Sequence, residues 1–275
     1  MPCADRWIGH RRPGGHRSPH PSVLSDTTAI DELGDALQAA ALHHSLPAKV
    51  FALRPWSIRV WRARLAALRS IPILAVDMTD SLSSHRIAKL MHGRLRGVLA
   101  NARPTTALVL PETFGDYLST RRRTGAIRES LRRGRNLGLE ARVVIDVHEQ
   151  RRNLHELLVG RGWPGDPVAM LTDQHDLRPG CDVHLVCTDA DGGVLAVAIM
   201  LISGSTAKLG FSMATINRSL SSIARYRVSA LVIETAISLG ATVLIGDSVL
   251  TMPSGHRQFS RAIGFSPYRI LVRFT

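Results

Sequence analysis

The sequence predicts a mixed α/β fold in which a mostly antiparallel central sheet is flanked by helices. Short apolar runs of strand length recur along the chain, and stretches with helical spacing separate them. A turn-like segment, "DADGG" at 189–193, joins two of these runs into a β-hairpin. With 275 residues, of which 45% are hydrophobic, the chain is long and apolar enough to bury a full core.

The N-terminal part of the chain changes character after its first residues. Residues 1–22 mix Pro, Gly, His and Arg with almost nothing to bury, which predicts a disordered basic leader. Beyond it, helical and strand patterns alternate. The elements predicted up to residue 104 are a helix at 29–46, strands at 48–53 and 71–78, and a helix at 84–102.

The rest of the chain holds the clearest patterns. A long basic helix is predicted at roughly 113–137, and two later helices end at Gly240 and Gly264, because glycine readily takes the left-handed conformation that closes a helix. The other predicted elements are strands at 105–111, 141–147, 182–188, 193–203, 206–213, 241–247 and 268–274, and helices at 149–163, 222–240 and 255–264.

The net charge and composition of the sequence indicate which kinds of partner and which compartment to expect. The sequence holds 35 Lys and Arg against 22 Asp and Glu, and the segment 121–135, with seven Arg and one Glu, supplies six of the 13 excess positive charges. This balance favours a polyanionic partner. The longest apolar run, 194–202, is too short to span a bilayer, and three cysteines give no disulfide framework. We expect a cytoplasmic protein without a membrane span.

The segment "CDVHLVC" has cysteine and histidine at a spacing that suggests a metal site. On a strand, however, side chains alternate between the two faces. Cys181 and Cys187 then point to one side and His184 to the other, so the three side chains do not converge on one ion. We predict no metal site here, and we interpret the cysteines as small buried hydrophobic residues.

The segment "GDS" at 246–248 resembles the nucleophile motif of some serine hydrolases. A serine nucleophile needs a histidine and an acid to activate it. His256 is the one histidine after Ser248, and no acid follows it. We therefore interpret the segment as the end of a strand, where Asp247 turns the chain into a loop.

A stripe of arginines marks the basic helix. At 100° per residue, one side of this helix carries Arg121, Arg128, Arg132 and Arg135. Such a stripe suits a phosphate-bearing ligand, although a solvated basic face explains the same pattern. No aromatic residues are interleaved with the arginines, which argues against base stacking on single-stranded nucleic acid.

The order of elements from 182 to 274 resembles the C-terminal core of the GNAT acyltransferase superfamily. The segments "ARYRVSALVIETAISLG" at 224–240 and "FSRAIGF" at 259–265 are similar to its donor-binding and closing helices. The Arg-rich region from Leu110 resembles the branch shared with FemAB-like and CelD/BioF2-like proteins. The resemblance covers 105–275 as one acyltransferase domain, and it implies that 23–104 is an N-terminal α/β segment, interpreted as a degenerate GNAT-like half.

The resemblance implies an N-acyltransferase that moves an acyl group from acetyl-CoA or another acyl-CoA to an amine acceptor, without a metal. Two parallel strands separate to admit the donor, and its phosphates bind at a helix N-terminus. The donor-binding residues are then Arg225, Tyr226, Arg227 and Ser229. Two residues depart from the family pattern: Val228 stands where a glycine is usual and Ser260 where the acid tyrosine is usual. The candidates for acid–base catalysis are Tyr226, His256 and Asp247.

Two alternatives remain open from the sequence. A FemAB-like transferase would take aminoacyl-tRNA as its donor, and the net charge of +13 and the arginine stripe would then hold the phosphate backbone. A GNAT-like protein that has lost catalysis and serves as a basic binding module would explain Val228 and Ser260, since a fold does not determine a function.

Overall fold

The computed structural model describes residues 30–35, 66–79, 81–92, 104–119, 124–163, 169, 182–216 and 219–274. Residues 30–35 are helical, in agreement with the helix predicted at 29–46, and residues 66–70 form a further helical segment. The predicted leader at 1–22 and the predicted strand at 48–53 lie outside the described residues.

The strands and helices follow the predicted order. The strands are β1 (Ile73–Met78), β2 (Pro104–Val109), β3 (Glu140–Val144), β4 (Val183–Thr188), β5 (Val194–Ser203), β6 (Thr206–Ala214), β7 (Val243–Ser248) and β8 (Ser266–Phe274). The helices are α1 (Leu82–His92), α2 (Phe114–Ser119), α3 (Gly125–Asn136), α4 (Val147–Val159), α5 (Ser221–Ser238) and α6 (Ser254–Ala262). The long basic helix predicted at 113–137 is thus divided into α2 and α3.

The strands of the described residues all belong to one eight-stranded sheet with the order β1-β8-β2-β7-β6-β5-β4-β3. Only β1 with β8 and β6 with β7 pair in parallel, and the other neighbours are antiparallel. The predicted mixed and mostly antiparallel sheet is confirmed. Strand β1 lies in the segment at 23–104 but belongs to the same sheet as the strands of 105–275. The division of the chain into domains stays a prediction.

The sheet is buried on both faces in its middle. On one face α5 packs against β4 and β5, and α3 packs against α5. On the other face α1 and α4 pack against β5. Strand β5 reads as a nearly continuous apolar run because its side chains enter both cores, and all but one of its ten residues are buried.

Strands β6 and β7 pair over a short length and then separate. Their parallel register joins Thr206, Ala207 and Lys208 to Val243, Leu244 and Ile245. Beyond these positions β6 continues to Ala214 and β7 to Ser248 without a further pair between them. The prediction that these two strands lie side by side is confirmed, and the gap between their ends opens at the N-terminal end of α5.

Buried ion pairs fix the helices that border this gap. Arg86 of α1 makes two hydrogen bonds, of 2.8 and 2.7 Å, to the carboxylate of Asp182, and both side chains are nearly inaccessible to solvent. On α6 the guanidinium of Arg257, which is 3% exposed, donates to the Met252 carbonyl at 2.9 Å and pairs with Asp31 and Asp35 of the helical segment 30–35. Charges buried this deeply require such partners.

We predict that Gly246 is required for the packing of β7 against β2. A Cβ at this position would overlap with Thr106 Oγ1 and would lie 3.1 Å from the ring of Phe265. Gly246→Ala should therefore lower the free energy of unfolding by roughly 1–3 kcal/mol, the usual cost of overpacking. Gly255→Ala is the matched control, because a Cβ there would meet nothing within 4 Å. Equal urea midpoints for the two variants would contradict the prediction.

Candidate functional site

Two cavities lie at the point where β6 and β7 separate. The first, here called the helix-end cavity, has a volume of about 380 Å³ and lies between the end of β6 and the start of α5. The second, here called the strand-end cavity, has a volume of about 180 Å³ and lies between the end of β7 and α1. His256 of α6 lines both cavities and so marks the boundary between them.

The helix-end cavity contains the positive end of a long helix. Helix α5 begins at Ser221. Ser221 and Ser222, which belong to its first turn, line the cavity. The N–H groups of a first helical turn have no partner within the helix, and the helix dipole favours an anion beside them. Arg225 and Tyr226 belong to the second turn and line the same cavity.

Two arginines add to this positive potential. Arg161, just after α4, donates from Nη1 to the Ala214 carbonyl at 2.5 Å, while its buried Nε has no hydrogen-bond partner among the described residues. The guanidinium of Arg225 lies 4.1 Å from the ring centre of Phe259, a cation–π contact that fixes its orientation. Burial and then the nearby charge of Arg161 lower the pKa of Arg225. None of the described residues lining this cavity is acidic, so the cavity suits an anionic group.

His256 is placed to exchange a proton with either cavity. It lies three residues before Phe259 on the same side of α6 and is exposed at the cavity mouth. Partial loss of hydration, followed by the charge of Arg225, lowers the pKa of the imidazole below its usual 6.5, while Asp247 acts in the opposite direction. The neutral ring, which accepts a proton, therefore persists to a more acidic pH than in free histidine.

The strand-end cavity has the opposite character. Asp247, near the end of β7, presents a carboxylate that is 70% exposed. One of its oxygens lies 3.2 Å from Nζ of Lys208, a side chain that is itself only 5% exposed. The cavity is also lined by the apolar residues Leu90, Met91, Met252 and Pro253 and by the hydroxyl-bearing residues Ser248 and Thr251.

The remaining predicted donor residues lie elsewhere. Arg227 is two positions from Arg225, almost on the opposite side of α5. Its Nη1 donates to the Leu131 carbonyl of α3 at 3.1 Å, and its side chain fills the space left by Gly134. Ser229 is buried and lines neither cavity. The pattern from Arg225 to Ala230 is therefore part of the helix interior, and the helix start lies four residues earlier than Arg225.

The residues that depart from the family pattern are also away from the cavities. Val228 is fully buried in the core beneath α5, so that it does not contact a ligand at the helix start. Ser260 lies on the side of α6 that carries Arg257, and its hydroxyl contacts the Met252 sulfur at 3.5 Å. The hydroxyl of Ser248 donates to the Pro104 carbonyl at 3.2 Å, as expected for a strand end.

The arginine stripe is exposed but separate from both cavities. Arg128, Arg132 and Arg135 lie on the solvent side of α3, while Arg121 lies outside the described residues. Arg132 pairs with Glu129 at 2.7 Å, and this pair is itself exposed. None of the three described arginines lines a cavity at the strand gap. The structure thus keeps the stripe apart from the candidate site.

Of the cysteine and histidine segment, Cys181 lies outside the described residues, and no group of three or more metal-ligating side chains occurs among the residues that are described. Cys187 packs in the core beneath α5, whereas Val186, which shares a strand face with His184, packs on the opposite side of the sheet. Burial raises the pKa of the Cys187 thiol to about 11 and lowers that of His184 to about 4. Among the described helices, none is long and apolar enough to cross a bilayer.

Sequence reasoning did not identify three residues of the site. Arg161 reaches the helix-end cavity only through folding, because it lies 64 positions from Arg225 along the chain. Phe259 stood in a recognised motif, but its contact with Arg225 required the packing of two helices. Lys208 could have been identified from the sequence, since a lysine in an otherwise apolar strand segment indicates a buried charge that needs a partner.

No protein-family profile and no curated protein sequence matches the chain. Among solved structures it is similar to FemX, with 13% identity and a TM-score of 0.47 over 61% of this chain and 60% of that one. It is also similar to the C-terminal domain of a putative lysylphosphatidylglycerol synthetase from Agrobacterium fabrum, with 13% identity and a TM-score of 0.43 over 60% of this chain and 58% of that one.

A third similar structure is a tandem GNAT protein from the clavulanic acid biosynthesis pathway, with 12% identity and a TM-score of 0.37 over 82% of this chain and 68% of that one. The chain spans less than two thirds of FemX and of the synthetase domain. The resemblance to GNAT proteins and the assignment to a branch of them both stay predictions. With TM-scores below 0.5, these resemblances carry no argument about function, which has to come from the strand topology and the cavities.

Proposed function

We propose that the protein is an N-acyltransferase that uses acetyl-CoA or another acyl-CoA as its donor. The observation that carries this proposal is the gap between β6 and β7, which pair at three positions and then separate between two cavities of opposite character. A gap of this kind leaves unpaired backbone groups on the facing edges of both strands. An extended ligand with amide groups, such as the pantetheine arm of CoA, satisfies them.

The donor's phosphates would occupy the helix-end cavity. The first turn of α5, Arg161 and Arg225 supply N–H donors and positive charge there. Tyr226 lines the same cavity and its ring packs at a tilt of 53° against that of Phe259, with ring centres 4.9 Å apart. Arg227 and Ser229 are not part of this proposal, because their side chains pack away from the cavity.

The reaction would proceed by direct attack of an amine on the thioester carbonyl. The acceptor nitrogen, entering from the strand-end cavity, forms a C–N bond, the C–S bond breaks, and the thiolate leaves. His256 accepts the proton that the nitrogen loses, because it lies at the boundary between the cavities and its lowered pKa keeps it neutral. Tyr226 is the candidate acid for the departing thiolate, and Asp247 faces the acceptor.

A second candidate donor is aminoacyl-tRNA, and the basic face of α3 is the observation that favours it. Arg128, Arg132 and Arg135 are exposed together, and Arg121 precedes them in the sequence. Such a face would hold the phosphate backbone, while the acyl end reached the strand gap. The third alternative, a binding module without catalysis, draws no support from Val228 and Ser260, since neither lines the helix-end cavity or the strand-end cavity.

A thermal-shift comparison of acetyl-CoA, longer acyl-CoAs and tRNA tests the proposal. A ligand at a hundred times its dissociation constant adds about 2.7 kcal/mol to the free energy of unfolding. We expect acyl-CoA to raise the melting temperature and to transfer its acyl group to an amine. Stabilisation by tRNA without stabilisation by any acyl-CoA would favour the second candidate and would overturn the first.

We predict that Arg225→Ala weakens acyl-CoA binding by about tenfold or more, because a charge-assisted hydrogen bond contributes roughly 1.5–3 kcal/mol. Arg225→Lys should retain part of the affinity, since it keeps the charge but not the planar contact with Phe259. Arg151→Ala, an exposed arginine on α4, is the control. Calorimetric titration measures all three variants. An unchanged dissociation constant in Arg225→Ala would remove the donor phosphates from the helix-end cavity.

We predict that His256→Gln lowers kcat about 10²- to 10⁴-fold while donor affinity changes little, as expected for loss of a general base. In the parent enzyme, kcat should fall on acidification with a midpoint below pH 6.5, because the pKa of His256 lies below that value. Ser248→Ala should keep most of the activity. Steady-state kinetics measure the loss of kcat in the variants, and a pH profile of the parent measures the midpoint. Abolished turnover in a folded Ser248→Ala variant would instead indicate a serine nucleophile.

We predict that the double variant Arg128→Gln/Arg132→Gln weakens tRNA binding and reduces its salt dependence, with acyl-CoA affinity unchanged. The free energy of unfolding should change by less than about 0.5 kcal/mol, because both side chains are exposed. Filter binding at several salt concentrations measures the first effect and urea unfolding the second. Loss of stability in the double variant would show that these arginines are structural, and unchanged tRNA binding would exclude the stripe as its site.

A further inference from the structure

The strand-end cavity has a single acidic side chain in a strongly basic protein. Of the described residues that line the two cavities, Asp247 alone is acidic. Its position is fixed by the backbone, since its own carbonyl accepts a hydrogen bond from Thr106 Oγ1 at 3.0 Å. The carboxylate is 70% exposed although it belongs to a strand that is otherwise largely buried.

Lys208 forms an ion pair with this carboxylate but leaves it accessible to a ligand. Lys208 Nζ donates to the Leu209 carbonyl at 2.6 Å and lies 3.2 Å from Oδ1 of Asp247. The lysine is 4% exposed, so its ammonium lies behind the carboxylate as seen from solvent. The second carboxylate oxygen carries no hydrogen bond from a described residue. The charge that a ligand meets first is therefore negative.

The walls around the carboxylate are apolar on two sides. Leu90 and Met91 of α1 form one side, and Met252 with Pro253 form the other, while Ser248 and Thr251 add hydroxyl groups to the lining. Met91 and Met252 are both nearly buried, and methionine adapts its shape to different apolar groups. A ligand that fits this arrangement has a cationic end and a short apolar body.

A carboxylate next to the ligand's amine would be repelled in this cavity. The α-carboxylate of the ligand would approach the carboxylate of Asp247. The ammonium of Lys208 is buried and already bonded to the Leu209 carbonyl and to Asp247, so it does not offset the repulsion. Like charges at this range disfavour binding by several-fold even near a protein surface. The same cavity therefore distinguishes a simple amine from an α-amino acid with the same side chain.

We propose that the strand-end cavity selects primary amines with an apolar body as acceptors, that Asp247 binds their ammonium group, and that it disfavours α-amino acids. This inference rests on the proposed function, because it assigns the acceptor of the same site. The bound ammonium passes one proton to His256, which lines the same cavity, before the neutral nitrogen attacks the thioester. The second proton, which the nitrogen loses as the C–N bond forms, goes to the departing thiolate through Tyr226.

Tyramine and tyrosine form a matched pair of probes, because they share the phenol and the amine and differ by the α-carboxylate. Calorimetric titration with the full chain should show that tyramine binds at least about tenfold more tightly than tyrosine. Asp247→Asn should weaken tyramine binding by about tenfold or more. The difference in affinity between tyramine and tyrosine should therefore be smaller in this variant than in the parent. Asp191→Asn, an exposed acid in the turn between β4 and β5, is the control and should bind tyramine like the parent.

The proposal is overturned if tyramine does not bind the parent protein, if tyrosine binds as tightly, or if Asp247→Asn leaves both affinities unchanged. Folding of the variant is checked by its acyl-CoA affinity, which should match that of the parent, since Asp247 does not line the helix-end cavity. If Asp247→Asn does not fold, the proposal is tested by the ratio of the tyramine and tyrosine affinities of the parent protein alone. Failure of the proposed function appears separately, as an absence of acyl-CoA binding in the parent.

Discussion

The short parallel pairing of β6 with β7 is the constraint on which the rest of the site depends. Three paired positions are enough to keep the two strands in one sheet, because each strand is also held on its other side by an antiparallel neighbour. Thr106 and the ring of Phe265 occupy the space that a side chain at Gly246 would need. Strand β7 is therefore closely packed against its other neighbour at the first position beyond its pairing with β6.

The gap separates two environments that differ in their charged groups. On the side of α5, the helix start and two arginines produce a positive potential without an acidic counterpart among the lining residues. On the side of α1, an exposed carboxylate lies in front of a buried lysine. His256 contacts both sides. In the proposed reaction, an anionic donor would bind on the side of α5 and a cationic acceptor on the side of α1, with His256 lining both cavities.

Much of the fold was predictable because strand and helix periods are local properties of the sequence. The hairpin at 182–203, the helix ended by Gly240 and the final strand all appear close to their predicted bounds. The site was less predictable. Motif matching placed the phosphate-binding turn at Arg225–Ala230, but a side chain as apolar as Val228 packs into the core, so the helix must begin earlier. Arg161 and Lys208 act through contacts that no local pattern contains.

Amide hydrogen exchange with and without acyl-CoA tests the central claim most directly. Residues of β6 beyond Lys208 have an edge that faces the gap without a β7 partner, so their amides on that edge exchange with solvent in the free protein. Acyl-CoA should slow exchange in 209–214 and in the first turn of α5, and should leave β3 and β4 unchanged. Protection confined to α3, or none in β6 while the ligand is bound, would contradict the assignment of the gap as the donor site.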